Sequence, residues 1–524
     1  MADASDTSTG AIRLTELLGV LSLGTDLGMG HPMEHAIRQS LLAVRLAEHA
    51  GLDERQRGVV YYASLVAWVG CHVDAYEQAK WFGDDRAFKA DARDVDLGRP
   101  VETTAYVLRH LGAGQAAAAR ARLGVRFFGG GVELLNSMFS NHWQAADFLI
   151  ERLGLGDGVR EGVAHTFERW DGKGEPCGVR GDDLTTSSRL VNLADVVEVF
   201  HAKGGVPAAI GVARRRSGTQ FDPRLVDLFC EHAESLFEEL ESVGSWAAAM
   251  AVEPTLDRRL SDDELEEALE VIADFVDLKS PYTIGHSRAV ADLARGSAEG
   301  FGLPAPDVVS VRRAGLVHDL GRLGVSNGIW DKQAALTPIE LERIRLHPYL
   351  TERMLTFSPG LAPLAAIAVQ HHERLDGSGY PRGARGKELT AAGRILGAAD
   401  MYQARTEPRP HRPARAAAEA AAELRDEVRS GRLDGDAVEA VLRAAGHQVA
   451  RKRAWPTGLT TREVEVLGLV AHGLSHKQIA ERLVISPKTV SNHVERIYTK
   501  IGASNRAMAG LFAVRHGLIS PDGP

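Results

Sequence analysis

Residues 371–381 read HHERLDGSGYP, and residues 166–176 read TFERWDGKGEP. The two stretches share the same Glu-Arg pair, aspartate, glycines and proline, but two histidines and a tyrosine of the later stretch are replaced in the earlier one. The separation of 205 residues between them also carries His347 onto His142 and Asp400 onto Asp195. A pattern repeated at a constant separation predicts that part of the chain is duplicated.

A second separation extends the repeat towards the N-terminus. The stretch AGLVHDLG, residues 314–321, matches ASLVAWVG, residues 63–70, at a separation of 251, which also carries His286 onto His35. The fall from 251 to 205 means that the first copy holds 46 extra residues, between about 73 and 130. The sequence therefore predicts two tandem copies of one domain, followed by a smaller third domain.

Apolar residues recur at helical spacing in almost every segment, as in LEEALEVIADFV at 265–276, and alternating patterns typical of strands are scarce. We therefore expect an all-α protein of two tandem helical bundles and a small helical C-terminal domain. Ser261 and Glu264 have the spacing of a capping box, so a helix begins there. The predicted boundaries are 1–245 for the first copy, 246–260 for a linker, 261–450 for the second copy and 456–520 for the C-terminal domain.

Composition excludes several classes of protein. The hydrophobic fraction of 44% and the charged fraction of 25% are typical of a globular chain. Three cysteines without CxxC spacing argue against a disulfide framework or a cysteine metal site. The N-terminus lacks the basic and apolar regions of a signal peptide, and no uninterrupted apolar stretch of roughly 18 residues is present. We therefore expect a cytoplasmic protein with no membrane partner.

Histidines and aspartates at separate positions of the second copy form a candidate metal site. Imidazole and carboxylate groups suit iron, manganese, zinc or magnesium, and side chains on several helices can converge in the core of a bundle. Adjacent residues on a helix diverge by about 100°, so each adjacent pair can serve two neighbouring metals. The candidate residues are His286, His318, Asp319, His347, His371, His372 and Asp400.

The motifs HSRAV, HDLGR, LHPYL, HHERLDGSGYP and AADMYQA resemble the HD-GYP class of HD-domain phosphohydrolases over residues 262–450. The resemblance implies a metal-dependent phosphodiesterase that typically opens the cyclic dinucleotide c-di-GMP. It implies two divalent metal ions, iron or manganese, with magnesium or zinc as alternatives. All seven candidate residues would be ligands, with Asp319 bridging. The loop containing Gly379, Tyr380 and Pro381 would lie beside the substrate.

The sequence departs from the HD-GYP pattern at three positions. Arg322 stands where the family usually has lysine; as a catalytic residue its charge can steady a phosphoryl group, but it does not readily give up a proton. Tyr282 replaces the glutamate of members with a third metal, and Gln403 replaces the usual aspartate. Two alternatives therefore stay open: a receptor that binds the nucleotide without cutting it, and a phosphohydrolase for another nucleotide, such as a linear phosphoester or guanosine tetraphosphate.

The first copy has lost four of the seven candidate ligands and is not expected to hold a dinuclear centre. Its function is either that of a sensory pocket or dimerisation platform, or only that of a packing partner for the second copy. The replacing residues are Ala67, Trp68, Thr166 and Phe167.

Residues 459–518 form a third pattern, with helix caps predicted at Thr460, Ser475 and Ser486. The motifs LTTRE, GLSHKQIA, KTVSNHV and KIG resemble the LuxR/FixJ class of helix-turn-helix domains. The resemblance implies a transcription regulator that binds DNA, and a recognition helix usually works in pairs, so we expect a homodimer. Transferring the family pattern, the base-reading residues are Ser491, Asn492 and Glu495, and the phosphate-contacting residues are Lys488, Thr489, Arg496 and Lys500.

Overall fold

The computed structural model describes residues 12–127, 129, 132–242, 244–252, 258–446 and 456–519. Within these ranges the regular elements are helices, and paired extended backbone is limited to isolated bridges. The all-α prediction is confirmed. The chain divides into two compact units, one of residues 1–72, 78–268 and 357–361, the other of residues 73–77, 269–356 and 362–524.

Two helices of the first copy begin at signals that are visible in the sequence. Asp53 and Gln56 form a capping box at the start of the third helix, and Pro100 opens the sixth, where its missing N–H costs nothing. In the described part of residues 12–252 the α-helices are α1 (Leu14–Met29), α2 (His35–His49), α3 (Glu54–Val66), α4 (Ala75–Phe82), α5 (Asp85–Asp91), α6 (Pro100–His110), α7 (Ala117–Arg126), α8 (Val132–Leu153), α9 (Asp157–Ala164), α10 (Thr186–Arg216), α11 (Pro223–Ser242) and α12 (Ser245–Val252).

The extra residues of the first copy fold around a small core of their own. They contain α4 to α7, whose aromatic rings pack on one another, with Phe82 and Phe88 stacked at 3.9 Å and Phe88 and Tyr106 at 5.0 Å between ring centroids. Val107, Leu111 and Phe127 complete this buried cluster.

The second copy is a helical bundle with an apolar core that includes Val290, Val311, Ile395 and Val441. Ser261 and Glu264 make the predicted capping box, with the Ser261 N–H donating to Glu264 Oε2 at 2.9 Å. Part of the predicted linker, 246–260, is helical in α12, and residues 253–257 lie outside the described residues. The helices are α13 (Asp262–Asp277), α14 (His286–Phe301), α15 (Ala305–Val317), α16 (Asn327–Trp330), α17 (Pro338–Arg345), α18 (His347–Leu355), α19 (Ala362–Ala368), α20 (Ala391–Thr406), α21 (Ala417–Arg429) and α22 (Gly435–Ala445).

Helix boundaries repeat between the copies at the separations read from the sequence. Helices α2 and α14 begin at His35 and His286, 251 residues apart, and α3 and α15 match at both ends at the same separation. Helices α10 and α20 begin at Thr186 and Ala391, 205 residues apart, as do α9 and α19 at Asp157 and Ala362. The duplication predicted from the sequence is therefore a duplication of structure.

The C-terminal domain has four helices, α23 (Thr461–Ala471), α24 (His476–Leu483), α25 (Pro487–Ile501) and α26 (Arg506–Arg515). The predicted caps are present: Thr460 and Ser475 each form a capping box, and Ser486 accepts from the Thr489 N–H with Pro487 at the first helical position. Helices α24 and α25 with their short connection form the predicted helix-turn-helix. The domain closes around an apolar core that includes Val466, Leu467, Ile479 and Val490.

Helix α10 is, among the described residues, the one helix whose length and composition would allow it to cross a bilayer, although the sequence analysis expected none. Its backbone is interrupted at Gly204 and Gly205, and its first half buries Asp195 and Glu198 among the helices of the first copy. The same length and composition are found in core helices, and the buried charges of α10 match that role.

Candidate functional site

The seven candidate ligands of the second copy lie at the ends of helices that meet in the bundle core. They lie at the first residue of α14 and of α18, just after α15, in the turn after α19, and within α20. Their ligand atoms form three overlapping groups, each within 4.8 Å: His286 with His318 and Asp400; His318 with Asp319 and His371; and His347 with His371 and His372. The structure thus brings together every residue that the sequence predicted for a metal site.

Asp319 lies between the other ligands and faces both sides. Its Oδ1 lies 3.4 Å from His347 Nε2, and its Oδ2 lies 3.7 Å from His318 Nε2. On the far side, Asp400 Oδ1 lies 3.3 Å from His286 Nε2 and 3.8 Å from His318 Nε2. One carboxylate between two sets of imidazoles is the arrangement that two neighbouring metal ions require of a bridging ligand.

Three of the imidazoles are oriented by the backbone. The Nδ1 atoms of His318, His347 and His371 donate to the carbonyls of Gly315, Ile344 and Ala368 at 2.7, 2.6 and 2.6 Å. A carbonyl can only accept, so each Nδ1 carries a proton, and in the neutral ring each Nε2 presents a lone pair.

The lone pairs of these rings converge on one another. The Nε2 atoms of His347 and His371 are 3.1 Å apart, and the buried Nε2 of His318 has no hydrogen-bond partner among the described residues. Facing lone pairs in a buried site repel unless a cation lies between them. The residues present therefore fit a divalent metal ion, by the chemistry of the donor set and by the unpaired donor atom.

The charges of the site agree with this fit. Burial, together with the neighbouring His318 and His347, lowers the pKa of His371 to about 3, so this ring is a neutral ligand. Burial would raise the pKa of Asp319, but Arg322 and the histidines outweigh it and hold the pKa well below the usual value. Burial would lower the pKa of His286, yet Glu407 and Asp400 raise it to about 10. Carboxylates that attract a proton this strongly also attract a metal cation.

Arg322 is fixed at the edge of the ligand cluster. Its Nη1 lies 3.1 Å from Asp319 Oδ2, and its guanidinium stacks 3.9 Å above the ring of Trp330. Trp330 in turn lies 5.4 Å from the ring of His347. No motif in the sequence singled out Trp330, because its role depends on a stacking contact across a turn.

The loop with the Gly-Tyr-Pro signature borders the same cluster. The ring of Tyr380 lies 4.7 Å from that of His372, and Arg345 lies 5.8 Å from the centroid of Tyr380. Gly379 is packed against the backbone, since a Cβ there would lie 2.4 Å from Arg374 N. Pro381 follows directly. The predicted substrate loop therefore lies beside the candidate metal ligands.

Three buried carboxylates were missed in the sequence: Asp277 and Glu407 in the second copy and Asp26 in the first. Asp277 accepts from the Ser287 N–H at 2.8 Å and so fixes the start of α14, and Asp26 accepts from the Ala36 N–H at 3.1 Å in the first copy. The separation of 251 between Asp26 and Asp277 was the signal that could have found them. Glu407, 2.9 Å from His286 Nδ1, has no counterpart at the separation of 205.

The corresponding place in the first copy is filled by side chains. Arg93 lies 3.0 Å from Asp195 Oδ2, and its guanidinium stacks 4.1 Å above the ring of Trp68. The same Asp195 lies 3.1 Å from His35 Nε2, and Phe167 packs edge-on against Trp68 at 5.8 Å. Among the described residues, the groups able to hold a metal all lie in the second copy. An arginine thus supplies positive charge to the retained aspartate.

The residues predicted to contact DNA lie on α25, as expected for a recognition helix. Lys488, Ser491, Asn492, Glu495 and Arg496 are exposed. Thr489 is partly buried and belongs to the cap of the helix. Lys500 is exposed, but its Nζ donates to Gly458 O at 3.0 Å and to Glu463 Oε2 at 2.7 Å. The side chain of Lys500 is therefore engaged within the domain.

A loop of the second copy packs on the C-terminal domain. Ile284, two residues before His286, belongs to the apolar core of α23 to α26, and a Cβ at Gly510 would lie 2.4 Å from Ile284 Cδ1. Gly473 packs against Pro281 and Tyr282, and the carbonyl of Tyr282 accepts from Arg409. The loop that precedes a candidate ligand is thus part of the core of the helix-turn-helix domain.

Comparisons with known proteins match the two resemblances found in the sequence. Residues 270–437 match the family model described as HD domain, and residues 457–513 match that of bacterial regulatory proteins, luxR family. The chain is 29% identical over 405 residues to the 3'3'-cGAMP-specific phosphodiesterase 3 of Vibrio cholerae, covering 76% of this chain and 88% of that protein. It is 35% identical over 185 residues to a cyclic di-GMP phosphodiesterase of Thermotoga maritima, covering 35% of this chain and 50% of that protein.

A solved structure supports the fold. A crystal structure of cyclic GMP-AMP specific phosphodiesterases in V. cholerae aligns with a TM-score of 0.59 and 24% identity, over 84% of this chain and 99% of that chain. The aligned region is longer than either copy, so the similarity of fold extends beyond a single bundle.

Proposed function

Because the chain carries an HD domain of the HD-GYP class and a LuxR-family regulatory domain, we propose that it is a cytoplasmic transcription regulator with a phosphodiesterase in its second copy. The proposed substrate is a cyclic dinucleotide. Both c-di-GMP and 3'3'-cGAMP are candidates, since similar phosphodiesterases are named for each. The observation that carries the proposal is the convergence of imidazole Nε2 atoms on both sides of Asp319.

Two divalent metals, iron or manganese, with magnesium or zinc as alternatives, would supply a nucleophile at neutral pH and Lewis-acid stabilisation of the phosphate. The chain's own residues then orient the reaction. The carboxylate of Asp319 would join the two ligand groups, and Arg322, held by Trp330, would bring positive charge to the phosphoryl oxygens. The proposed ligands are His286, His318, Asp319, His347, His371, His372 and Asp400.

A second candidate is a receptor that binds the nucleotide without cutting it. Arg322 favours this candidate, because its guanidinium is paired with Asp319 and stacked on Trp330, and an arginine does not readily donate a proton to a leaving group. The third candidate is hydrolysis of another nucleotide, such as a linear phosphoester or guanosine tetraphosphate. The intact DGSGYP motif favours a cyclic dinucleotide over that candidate.

Product analysis separates the three candidates. The purified full chain is stripped of metal, reloaded with manganese or iron, and incubated with c-di-GMP and with 3'3'-cGAMP, and the products are separated by chromatography. A double variant, His318→Ala with Asp319→Ala, is the blank. We expect linear dinucleotide or mononucleotides only from the unmodified chain. No product from either substrate, with two metals bound per chain, contradicts the hydrolase; measured nucleotide binding would then favour the receptor, and cleavage of a different nucleotide the third candidate.

The C-terminal domain is proposed to bind DNA as a homodimer under control of the second copy. The exposed face of α25 supports DNA binding, and the contact of Ile284 with the domain core supports control by the metal-binding copy. Coupling requires that the nucleotide prefer one conformation over another. Light scattering tests whether the chain is a dimer, and a monomer would contradict that proposal. DNA binding measured with and without nucleotide tests the coupling, and a DNA affinity that the nucleotide does not change would contradict it.

A further inference from the structure

In both copies a glutamate lies beside the equivalent histidine, His35 in the first copy and His286 in the second. The two glutamates occupy different positions of the repeat. In the first copy Glu198 contacts His35 Nδ1 and lies 2.7 Å from Arg38. The separation of 205 carries Glu198 onto Gln403, so the second copy has an amide where the first has a carboxylate. A simple loss at this position would leave the Nδ1 atom of His286 without a carboxylate partner.

The second copy provides that carboxylate one helical turn later. Glu407 is buried, and its Oε2 lies 2.9 Å from His286 Nδ1. Gln403 does not compete for the ring; its amide donates to Glu407 Oε1 at 3.0 Å. Glu407 directly follows the last residue of α20, one turn after Gln403, and residues four apart share one face of a helix, so its carboxylate reaches the place that a glutamate at 403 would occupy.

His286 differs from the other buried rings of the site in the partner of its Nδ1 atom. The other buried rings donate Nδ1–H to the carbonyl three residues earlier, as His318 does to Gly315. For His286 the carbonyl three residues earlier, that of Thr283, accepts the backbone N–H at 2.9 Å, and the Nδ1 atom lies 2.9 Å from Glu407 Oε2 instead. This ion-pair contact with a carboxylate stands where the other rings have a contact with a backbone carbonyl.

Glu407 is itself held in place. Arg409 Nη2 lies 2.9 Å from Glu407 Oε2, and the other end of the Arg409 guanidinium donates to the carbonyl of Tyr282. The carboxylate is thus contacted by Gln403, Arg409 and His286, which leaves it little freedom to turn away. Such an arrangement is typical of a group that positions a metal ligand.

We propose that Glu407 is the positioning residue of His286, and that it replaces, from one turn later, the glutamate that the first copy carries at the equivalent of Gln403. The proposal rests on the proposed function in that it takes the second copy to bind metal. Carboxylates behind a metal-bound imidazole fix its orientation and raise its basicity, and their loss typically costs 10–100-fold in metal affinity.

The test compares three variants of the full chain by calorimetric titration with manganese and by metal content after dialysis. We expect Glu407→Gln to weaken the binding of one manganese ion by about 10–100-fold. The double variant Gln403→Glu with Glu407→Gln rebuilds the arrangement of the first copy and should recover most of the affinity. Glu439→Gln, at an exposed ion pair with Arg425, is the matched control and should bind as the unmodified chain does.

The outcomes are distinguishable. Unchanged manganese affinity in Glu407→Gln overturns this inference while leaving the proposed function intact. A chain that binds no manganese before any substitution overturns the proposed function, and the inference with it. If Glu407→Gln lowers the melting temperature, the double variant distinguishes a structural role from a positioning role. A double variant that regains the melting temperature but not the manganese affinity shows that the role is only structural, and it overturns the proposal.

Discussion

Arg322 replaces the lysine usual in the HD-GYP class, and the structure shows what holds it. The guanidinium is planar, so it can stack on Trp330 and still reach Asp319, which a lysine ammonium could not do in the same way. The substitution therefore keeps positive charge beside the candidate metal ligands, at a fixed position.

For the hydrolase, we expect Arg322→Met to lower kcat by roughly 100-fold, the usual cost of removing one group that stabilises charge in the transition state. Manganese binding should persist, because Arg322 is not among the candidate ligands. Steady-state kinetics with a cyclic dinucleotide, beside a manganese titration, gives both values. An unchanged kcat would mean that the arginine takes no part in the reaction.

Arg93 has the corresponding position in the first copy. We expect Arg93→Met to lower the free energy of unfolding by up to about 3–5 kcal/mol, because it breaks a buried ion pair and leaves Asp195 with His35 as its remaining partner. Denaturant unfolding of the two chains measures the difference. Manganese binding by the second copy is the control and should not change. A decrease in the free energy of unfolding below about 1 kcal/mol, the value of an exposed ion pair, would contradict this prediction.

The buried ion pairs of Asp195 and Glu198 predict that the stability of the protein depends on pH. Burial raises the pKa of Asp195 and Glu198, but Arg93, Arg38 and His35 outweigh it and hold each pKa at about 2. A carboxyl group with a lowered pKa in the folded state stabilises above its unfolded value, near 3.8 to 4.5, and this stability is lost as the pH falls towards 2. Melting temperatures should fall over that window, and less steeply in Arg93→Met; equal slopes would argue against the pairing of Arg93 with Asp195.

At the scale of elements, both copies use glycine to bring two segments together. A Cβ at Gly321 would lie 1.9 Å from the carbonyl oxygen of His347, and a Cβ at Gly70 would lie 2.3 Å from that of His142. The glycine after the His-Asp pair is thus required for the approach of α18 and its histidine. The first copy kept this packing when it lost the ligands, which is why its fold survives.

The loop before α14 links the candidate metal site to the C-terminal domain. We expect Ile284→Ala to undock this loop at a cost of about 2–5 kcal/mol, since it removes a buried side chain from the core of that domain. Amide exchange in α26 should then be faster by at least about 30-fold, the equivalent of roughly 2 kcal/mol. Val309→Ala, at an exposed apolar side chain of α15, is the matched control. Unchanged protection of α26 would show that the loop does not support the domain.

At the scale of the whole molecule, a formal charge of −9 is combined with a basic recognition helix. DNA binding should therefore weaken steeply with salt, and each phosphate contact contributes about 0.9 to the slope of log K against log salt. We expect Arg496→Ala to reduce the slope by about 1. Lys500→Ala should leave it unchanged, because the Lys500 ammonium is paired with Glu463. Titrations of DNA binding at several salt concentrations measure both, and equal slopes for the two variants would contradict this distinction.

The sequence by itself determined the duplication, the all-α class, the helix caps of the C-terminal domain and the seven candidate ligands. These features depend on residue types at fixed spacing, which can be read along the chain. The equivalence of His286 and His35 in the two copies, for example, follows from a constant separation. The HD and LuxR resemblances rest on the same kind of local pattern.

Only the tertiary structure decided which side chains meet across the bundle. Arg93 comes from the extra residues of the first copy, Glu407 lies one turn from the expected position, and Trp330 and Ile284 belong to no motif. Arg93, Glu407 and Ile284 act through contacts between segments distant along the chain, and Trp330 acts through a stacking contact across a turn. Such contacts are set by how whole helices pack, and no spacing within a single segment encodes them.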